Sequence, residues 1–394
     1  MEDFKTYTLE ELSIGKGTYG IAASAVPYDS QKPTYLRITD INDDGTINQA
    51  GLMSVDAPNA SEFLLKANDL VFARTGNSTG RTYFYEGTES PLVYAGFLIK
   101  FSIDEKKVNP RILKYYTHSQ TYYNWIKSFD TGGTRGNINA KTYGSMPVCL
   151  PVSRKTQDKI VELLSSFDRK IELNRRINDN LEQQAQTLFN YYFVEKPELL
   201  GDVEVGNLTQ IASYTNGLAM QCFRPNSNEK GLPVLKIKEL GQNTVDATSD
   251  RCTSDIDESY KVYDGDVIFS WSGTLMVKVW TGGNCGLNQH LFKVTSKEYP
   301  KWFYYFWTKH HLDKFIRIAK DKAVTMGHIK RGELEKSEVL IPCAEKLNQI
   351  GLLINPLFER GIEVALENRN LAEARNSLLP NLMSGGLIIN DFNC

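Results

Sequence analysis

Two polar loops carry side chains that can hydrogen-bond to the edges of nucleic-acid bases. The first loop is Arg74-Thr75-Gly76-Asn77-Ser78-Thr79-Gly80-Arg81, and the second runs from Trp271-Ser272-Gly273-Thr274 to Lys278. Arginine pairs bidentately with guanine, asparagine pairs with adenine, and serine or threonine can bond to either. Glycine lets a backbone come close to a ligand. The candidate contacts are Arg74, Asn77, Ser78, Arg81, Trp271, Ser272, Thr274 and Lys278, with an ordinary polar hairpin loop as the alternative.

A second pair of loops suits phosphate or base-edge contacts. Segments 134–141 and 325–331 combine Thr and Gly with Lys or Arg and with Asn or His. They lie in two basic windows, 106–141 with seven Lys or Arg and one Asp, and 297–332 with nine Lys or Arg and three acids. Each window has a net charge of +6 in a chain of net charge −2, and such a stripe can bind phosphate. A solvated charged face is the alternative. The candidates are Thr134, Arg135, Asn137, Lys141, Thr325, His328, Lys330 and Arg331.

Motifs of nucleotide-binding and catalytic sites are missing or lack their context. The stretch Gly15–Gly20 fits GxGxxG, but Pro27 and Pro33 interrupt the interval before Asp40. That interval is too short for the helix and strand of a dinucleotide-binding fold, so we interpret the glycines as a turn. The sequence has no GxxxxGK[ST], HExxH or GxSxG, and no Asp/Asn-Pro-Pro-aromatic box for amino methylation of bases. We therefore predict no catalytic activity, no metal site and no cofactor in this chain.

Composition places the chain among ordinary globular proteins. Apolar residues make up 41% and charged residues 23% of 394 positions, which suggests two to three domains. The six cysteines form no CxxC pair, the first residues lack the pattern of a signal peptide, and no apolar run approaches the ~18 residues needed to span a bilayer. We expect a cytoplasmic protein with no membrane partner.

The second half of the sequence repeats the first at an offset of 191 residues. Thr134–Ile138 returns as Thr325–Ile329, Val148–Pro151 as Val339–Pro342, and Phe167–Glu172 as Phe358–Glu363. A single offset across three segments indicates duplication. We predict two copies of one unit, each a mixed α/β domain followed by a long helix, so that any ligand of the unit is bound twice.

Each copy ends in a segment with the apolar period of a coiled coil. From Ser153 to about Glu195 there is no Gly or Pro, and apolar residues step by alternating fours and threes. The length predicts a rod of roughly 60 Å. The second rod runs from about Ala344 to Met383, and Pro356 inside it predicts a kink or break. The seam residues are Ile160, Leu164, Phe167, Ile171, Leu181 and Leu188 in the first rod, and Ile354, Phe358, Ile362 and Leu379 in the second.

These segments predict an α+β fold. An isolated helix with an apolar stripe needs a partner, and the simplest partner is the helix of the other copy. We expect the two rods to pack antiparallel about a pseudo-two-fold axis; the alternative is that each lies across its own domain. The predicted division is a first mixed domain at 1–152, a central helix at 153–195, a second mixed domain at 196–342 and a C-terminal helix at 343–394.

Together these features resemble the specificity (S) subunit of a type I restriction–modification system, over essentially the full length. The resemblance rests on the duplicated order of domain and helix and on a set of segments. The segments are Gly132-Gly133-Thr134-Arg135-Gly136-Asn137-Ile138, Met146-Pro147-Val148, Pro151, Gln157-Asp158-Lys159-Ile160-Val161 and Phe167-Asp168, with Thr8-Leu9-Glu10-Glu11-Leu12 as entry to the first domain. The departures are Pro356 in the second rod and Met326 where the first copy has Arg135.

The resemblance implies a non-catalytic DNA-binding subunit. Each domain would be a target recognition domain reading one half of a bipartite double-stranded DNA target, and the rods would space the halves. The rods would also dock two methyltransferase (M) subunits, which carry S-adenosylmethionine, and restriction (R) subunits, which use ATP and Mg, would join that core. The alternative is a non-catalytic coiled-coil adaptor that presents two protein-binding domains.

Overall fold

The chain folds into two units that each combine a mixed α/β body with parts of two long helices. The computed structural model describes residues 3–49, 51–87, 91–129, 136–246, 248–321 and 329–386. Unit 1 comprises the residues up to Arg169 and those from Ala372 onward, and unit 2 is Lys170–Leu371. The units cut across both long helices, so they do not follow the four consecutive segments predicted from the sequence. Those segment boundaries stay a prediction.

Unit 1 is built on two four-stranded sheets and one two-stranded sheet. Its strands are β1 (Phe4–Thr8), β2 (Thr18–Tyr19), β3 (Ala25–Pro27), β4 (Thr34–Leu36), β5 (Met53–Val55), β6 (Asp69–Ala73), β7 (Thr82–Tyr85), β8 (Leu92–Tyr94), β9 (Leu98–Ser102) and β10 (Pro147–Pro151). The sheet orders are β2-β9-β6-β7, β3-β5-β4-β8 and β1-β10. Strand β6 is buried along its whole length, as expected for an apolar run in the interior of a sheet. Strands β4 and β8 pair in parallel.

Short capped helices complete unit 1. They are α1 (Pro110–Tyr116), α2 (Gln120–Lys127) and α3 (Ala140–Gly144), and the long helix α4 (Arg154–Asn190) follows. The side chains of Asn109, Ser119 and Asn139 each accept a hydrogen bond from a backbone N–H of the helix that they precede. Such caps satisfy donors that have no partner inside the first turn, which is why the helices begin at these residues.

Unit 2 repeats the strand order of two of the three sheets of unit 1. Its strands are β11 (Val203–Asn207), β12 (Ser213–Asn216), β13 (Leu232–Leu235), β14 (Arg251–Cys252), β15 (Lys261–Val262), β16 (Val267–Ser270), β17 (Met276–Val279), β18 (Cys285–Leu287), β19 (Leu291–Thr295) and β20 (Glu338–Pro342). Its helices are α5 (Leu208–Ile211), α6 (Ile237–Gln242), α7 (Lys301–His310), α8 (Leu312–Asp321) and α9 (Gly332–Glu335), before the long helix α10 (Ala344–Ser384). The orders β12-β19-β16-β17 and β11-β20 match the β2 and β1 sheets of unit 1. The predicted α+β class with an internal repeat is confirmed.

The repeat extends to a buried ion pair at the start of the central strand. In unit 1, Lys100 Nζ lies 3.1 Å from Asp69 Oδ2, and the side chains are 16% and 1% exposed. In unit 2, Lys293 Nζ lies 2.9 Å from Asp266 Oδ2, with side chains 13% and 21% exposed. Both lysines lie on the strand beside the central one, β9 or β19. The two copies therefore share details of their cores as well as strand order.

The two long helices run antiparallel within each unit. In unit 2, Asn174 Nδ2 donates to Glu367 Oε2 at 3.0 Å, and Asn368 Nδ2 donates to the carbonyl of Ile171 at 3.3 Å. In unit 1, an earlier residue of α4, Asp168, accepts from a later residue of α10, Arg375. Contact positions thus rise along α4 as they fall along α10. The predicted antiparallel packing is confirmed.

We predicted a kink or a break at Pro356; helix α10 continues through it, so the break is wrong, and the kink stays a prediction. Pro380 also lies inside the same helix. Both prolines are on the exposed side. A proline removes one hydrogen bond to the carbonyl four residues earlier, which for Pro356 belongs to Leu352. Leu352 is 77% exposed, so water can reach that side of the helix and take the place of the missing donor.

The predicted seam is buried at most positions and shifted at one. Phe189 and Phe193, 0% and 2% exposed, take the core positions that the sequence assigned to Leu188 and its neighbourhood. The sequence does not decide which residues of this stretch face the core, because apolar residues stand side by side in it. The choice depends on the surface against which the helix packs. Ile160, Leu164, Ile171, Ile354, Phe358 and Leu379 are buried, whereas Phe167, Leu181, Leu188 and Ile362 are partly exposed.

Candidate nucleic-acid interface

Arg74 lies at the end of the central strand of unit 1 and is held on three sides. Its N–H donates to the carbonyl of Phe97 at 3.1 Å, and its carbonyl accepts from the N–H of Ile138 at 3.0 Å. Its Nε donates to Oδ1 of Asn137 at 3.2 Å. Its Cζ lies 5.0 Å from the ring centroid of Tyr19, a cation–π distance. Strand pairing and side-chain contacts therefore fix both the backbone and the guanidinium.

Two aromatic residues beside Arg74 were missed by the sequence reasoning. Tyr19 is 41% exposed, and its hydroxyl accepts from the N–H of Ala140 at 3.1 Å, at the start of α3. Phe97 is 60% exposed although it adjoins a core strand. Tyr19, Arg74, Phe97 and Asn137 form what we call the Arg74 surface. An exposed aromatic ring beside a cation and an amide can stack on and hydrogen-bond to a planar ligand.

The remaining unit 1 candidates divide into exposed and occupied side chains. Asn77 and Lys141 are exposed. Ser78 is only 5% exposed, so its side chain is not offered to a ligand. Arg81 donates from Nε to Asp43 at 2.6 Å, which ties it to the body of the unit. Thr134 and Arg135 lie outside the described residues.

Trp271 occupies in unit 2 the place that Arg74 occupies in unit 1. Its N–H donates to the carbonyl of His290 at 3.4 Å, and its carbonyl accepts from the N–H of Ile329 at 3.1 Å. Its indole Nε1 donates to Oδ1 of Asn216 at 3.0 Å. The Trp271 and His290 rings lie 6.0 Å apart. We call Asn216, Trp271 and His290 the Trp271 surface.

Strand register shows that the two surfaces are equivalent. Tyr19 pairs with Ile99 of β9, and Asn216 pairs with Phe292 of β19, at matching steps of the two sheets. The Arg74 and Trp271 surfaces therefore use the same backbone frame and differ in side chains. One copy has a cation on a tyrosine ring, and the other has an indole bonded to an asparagine. The arrangement suits one scaffold that recognises two different ligands.

The other unit 2 candidates divide into exposed side chains and side chains that are buried or hydrogen-bonded within the unit. Ser272 is 5% exposed, whereas Thr274, Lys330 and Arg331 are exposed. Lys278 donates from Nζ to the carbonyl of Gly241 at 2.7 Å and lines a cavity of about 400 Å³ beside both long helices. Burial lowers the pKa of Lys278. Thr325 and His328 lie outside the described residues.

Some of the cations in the two basic windows are paired with carboxylates outside them. Arg111 Nη2 lies 2.8 Å and Lys114 Nζ 2.9 Å from the two oxygens of Glu86. In unit 2, Lys309 pairs with Glu182 of α4. Burial raises the pKa of Glu182, but Lys309 and the hydrogen bond from Tyr305 outweigh it, so the pKa of this carboxyl is lowered. A sum along the sequence thus overstates the charge available to phosphate.

Among the residues that the structure describes, none of the helices combines the length and the apolar character of a membrane-spanning segment. The same part of the chain holds no cluster of three or more His, Cys, Asp or Glu that could bind a metal ion.

The sequence matches a family model of DNA specificity domains and is similar to the specificity subunits of type I restriction enzymes. The family model described as "Type I restriction modification DNA specificity domain" matches residues 1–183 and 201–372, one match in each copy of the repeat. The type I restriction enzyme MjaIX specificity subunit of Methanocaldococcus jannaschii is 23% identical over 304 residues, which is 71% of this chain and 69% of the relative. The HindI specificity subunit of Haemophilus influenzae is 28% identical over 145 residues, 36% of this chain and 31% of that relative.

A solved structure shows the same fold over nearly the whole chain. The crystal structure of a type I restriction-modification system S subunit from M. genitalium superposes with a TM-score of 0.51 at 13% identity. The match covers 97% of this chain and 96% of that one.

Proposed function

We propose that this chain, which belongs to the type I restriction modification DNA specificity domain family, reads a bipartite DNA target with its two units. The Arg74 surface would contact one half-site and the Trp271 surface the other. One observation carries the proposal: equivalent backbone positions present different side chains in the two copies. A duplicated scaffold with divergent contact residues is what a target with two different halves requires.

The chemistry of the surfaces supports base contacts over a purely electrostatic function. Bases are distinguished by hydrogen bonds and apolar contacts at their edges, whereas phosphate contacts carry no sequence information. The Arg74 surface combines a guanidinium, an amide and two exposed rings. Linkage of two such surfaces in one chain would raise the affinity for a two-part target through effective concentration.

The long helices are proposed as the spacer and as the docking site for modification subunits. Helix α4 exposes Leu173 and Ile177, and α10 exposes Leu352 and Leu353, which are 53%, 36%, 77% and 47% exposed. Exposed apolar side chains in succession are typical of surfaces that bind another protein. In this proposal S-adenosylmethionine belongs to two M subunits, ATP and Mg belong to R subunits, and this chain performs no catalytic step.

Sequencing of methylated DNA from cells that express the chain with its M subunit tests target reading. We expect a motif of two short halves separated by an unread gap. Arg74→Ala should relax one half, and Trp271→Ala should relax the other. A motif that neither variant changes, or DNA binding without sequence preference, would refute the assignment of the two surfaces.

Co-purification tests docking. Leu352→Glu should reduce recovery of the M subunit with this chain, because a carboxylate would be buried in an apolar interface. Arg360→Ala on the same helix is the matched control, since Arg360 is 57% exposed in a pair with Glu363. Full recovery of the M subunit with Leu352→Glu would show that the M subunit docks at a surface other than the one around Leu352. A chain that recruits proteins but never DNA would instead be the coiled-coil adaptor.

A further inference from the structure

We infer that unit 1 reads a guanine through the two terminal nitrogens of Arg74, and that this contact occurs in only one half-site. The inference rests on the proposed function of the Arg74 surface. It adds the identity of one base and the atoms that recognise it.

The hydrogen bonds of Arg74 leave one edge of the guanidinium for a ligand. Nε is already directed at Oδ1 of Asn137, at 3.2 Å. Neither Nη1 nor Nη2 has a hydrogen-bond partner among the residues that the structure describes. These two nitrogens present parallel N–H donors, and guanine presents two acceptors, O6 and N7, on its major-groove edge. Adenine has a donor in place of O6, so the same edge of the arginine would reject it.

The side chain is held in place before any ligand arrives. The guanidinium lies over Tyr19, and Tyr19 is anchored in turn by the N–H of Ala140. A free arginine loses rotamer freedom on binding, whereas a stacked and tethered one has already lost most of it. A phosphate contact needs only a nearby positive charge, as the exposed Lys141 can provide. Because Tyr19 and Asn137 both orient the Arg74 guanidinium, this group favours a ligand with a fixed planar pattern of acceptors.

Unit 2 has no arginine at the equivalent position. Trp271 has one side-chain donor, Nε1, and that donor is bonded to Asn216 at 3.0 Å. An indole cannot make a bidentate contact to guanine. The two surfaces therefore predict an asymmetry, in which this backbone position reads a guanine through an arginine only in the half-site of unit 1.

Base analogues give a direct test on the assembled complex with M subunits. The probe is a duplex of the methylated motif in which each guanine in turn is replaced by 7-deazaguanine, which lacks the N7 acceptor. We expect the analogue to weaken wild-type binding at one position in one half-site. The expected loss is about tenfold or more, the range of a bidentate base contact. Arg74→Ala should weaken binding to the normal duplex by a similar factor and show no further loss with the analogue.

Variants of the neighbours separate positioning from contact. Asn137→Ala and Tyr19→Leu should reduce discrimination at the same base pair by a smaller factor, and Arg74→Lys should lose most of it. Arg111→Ala is the matched control, because that guanidinium is paired with Glu86 in the same unit and should leave the analogue effect intact.

The outcomes are separable. Sensitivity to the analogue that persists in Arg74→Ala would assign the guanine to another residue and overturn the inference. Uniform weakening of all sequences by Arg74→Ala would make the residue a phosphate contact and also overturn it. A wild-type complex that binds every duplex equally would refute the proposed function itself. A sequence-specific complex with no sensitive guanine in either half-site would refute only the inference.

Discussion

Arg375 of α10 donates from Nη1 to Oδ1 of Asp168 of α4 at 2.6 Å. Helix α1 reaches the same carboxylate, since Tyr115 Oη lies 2.9 Å and Lys114 Nζ 3.2 Å from Oδ2. The Asp168 and Arg375 side chains are 20% and 23% exposed. Burial raises the pKa of Asp168, but Lys114 and Arg375 outweigh burial and lower it. One carboxylate thus joins both long helices to the body of unit 1.

Removal of this ion pair should destabilise unit 1. We expect Arg375→Ala and Asp168→Ala each to lower the free energy of unfolding by about 1–3 kcal/mol, since each leaves a mostly buried charge with fewer partners. Urea unfolding of both single variants and the double variant measures the coupling. The exposed Arg360–Glu363 pair on α10 is the control, with an expected effect below about 0.5 kcal/mol. Equal losses of unfolding free energy at the two sites would show that burial of Asp168 does not determine the cost of breaking its ion pair.

His118 should make unit 1 acid-sensitive. Burial, together with the nearby charges of Arg375 and Lys114, lowers the pKa of His118 to about 4. The unfolded chain takes up a proton near the ordinary pKa of 6.5, so the His118 contribution to stability is complete above that pH. It is lost as the pH falls from 6.5 towards 4, with a slope of up to about 1.4 kcal/mol per pH unit. His118→Gln should flatten the unfolding free energy over that interval, and an unchanged slope would contradict the assignment.

Patterns local in sequence predicted the fold well, whereas contacts between residues far apart in the sequence could not be predicted. The apolar period of α4 and the offset of the repeat were sufficient for two antiparallel helices. Arg74 and Arg81 flank one loop and look equivalent in sequence, yet only Arg81 meets Asp43. Tyr19 became part of the site because β2 pairs with β9, which no local signal indicates. The break at Pro356 was predicted from the proline alone, whereas α10 runs through Pro356 with that residue on its exposed side.

The duplicated ion pairs should differ in energy. Asp69 is 1% exposed and also accepts from Ser102 Oγ at 2.6 Å, whereas Asp266 is 21% exposed. We expect Asp69→Asn to cost about 2–4 kcal/mol and Asp266→Asn about 1–2 kcal/mol, because Asp69 is the more deeply buried acid and water has less access to replace its lost contacts. Hydrogen exchange of β9 and β19 reports the two units separately in one experiment. Equal loss of protection would show that exposure of the acid does not set the cost.

Salt dependence of DNA binding should separate lysines available to phosphate from those used in structure. Lys127 and Lys141 are exposed, and in the stretches that the structure describes neither has an ion pair. Ile126, next to Lys127, lies against Gly80 of the Arg74 loop, which places the end of α2 beside the proposed interface.

We expect Lys127→Ala and Lys141→Ala to weaken binding about equally for all sequences. Each should make the slope of log K against log salt shallower by about 0.9, the value for one phosphate contact. Arg111→Ala should leave the slope unchanged because Glu86 already neutralises Arg111. Titrations at three or more salt concentrations measure the wild-type protein and all three variants. A slope that changes as much for Arg111→Ala as for the two lysine variants would mean that the window acts through its summed charge, and the distinction between paired and exposed cations would fail.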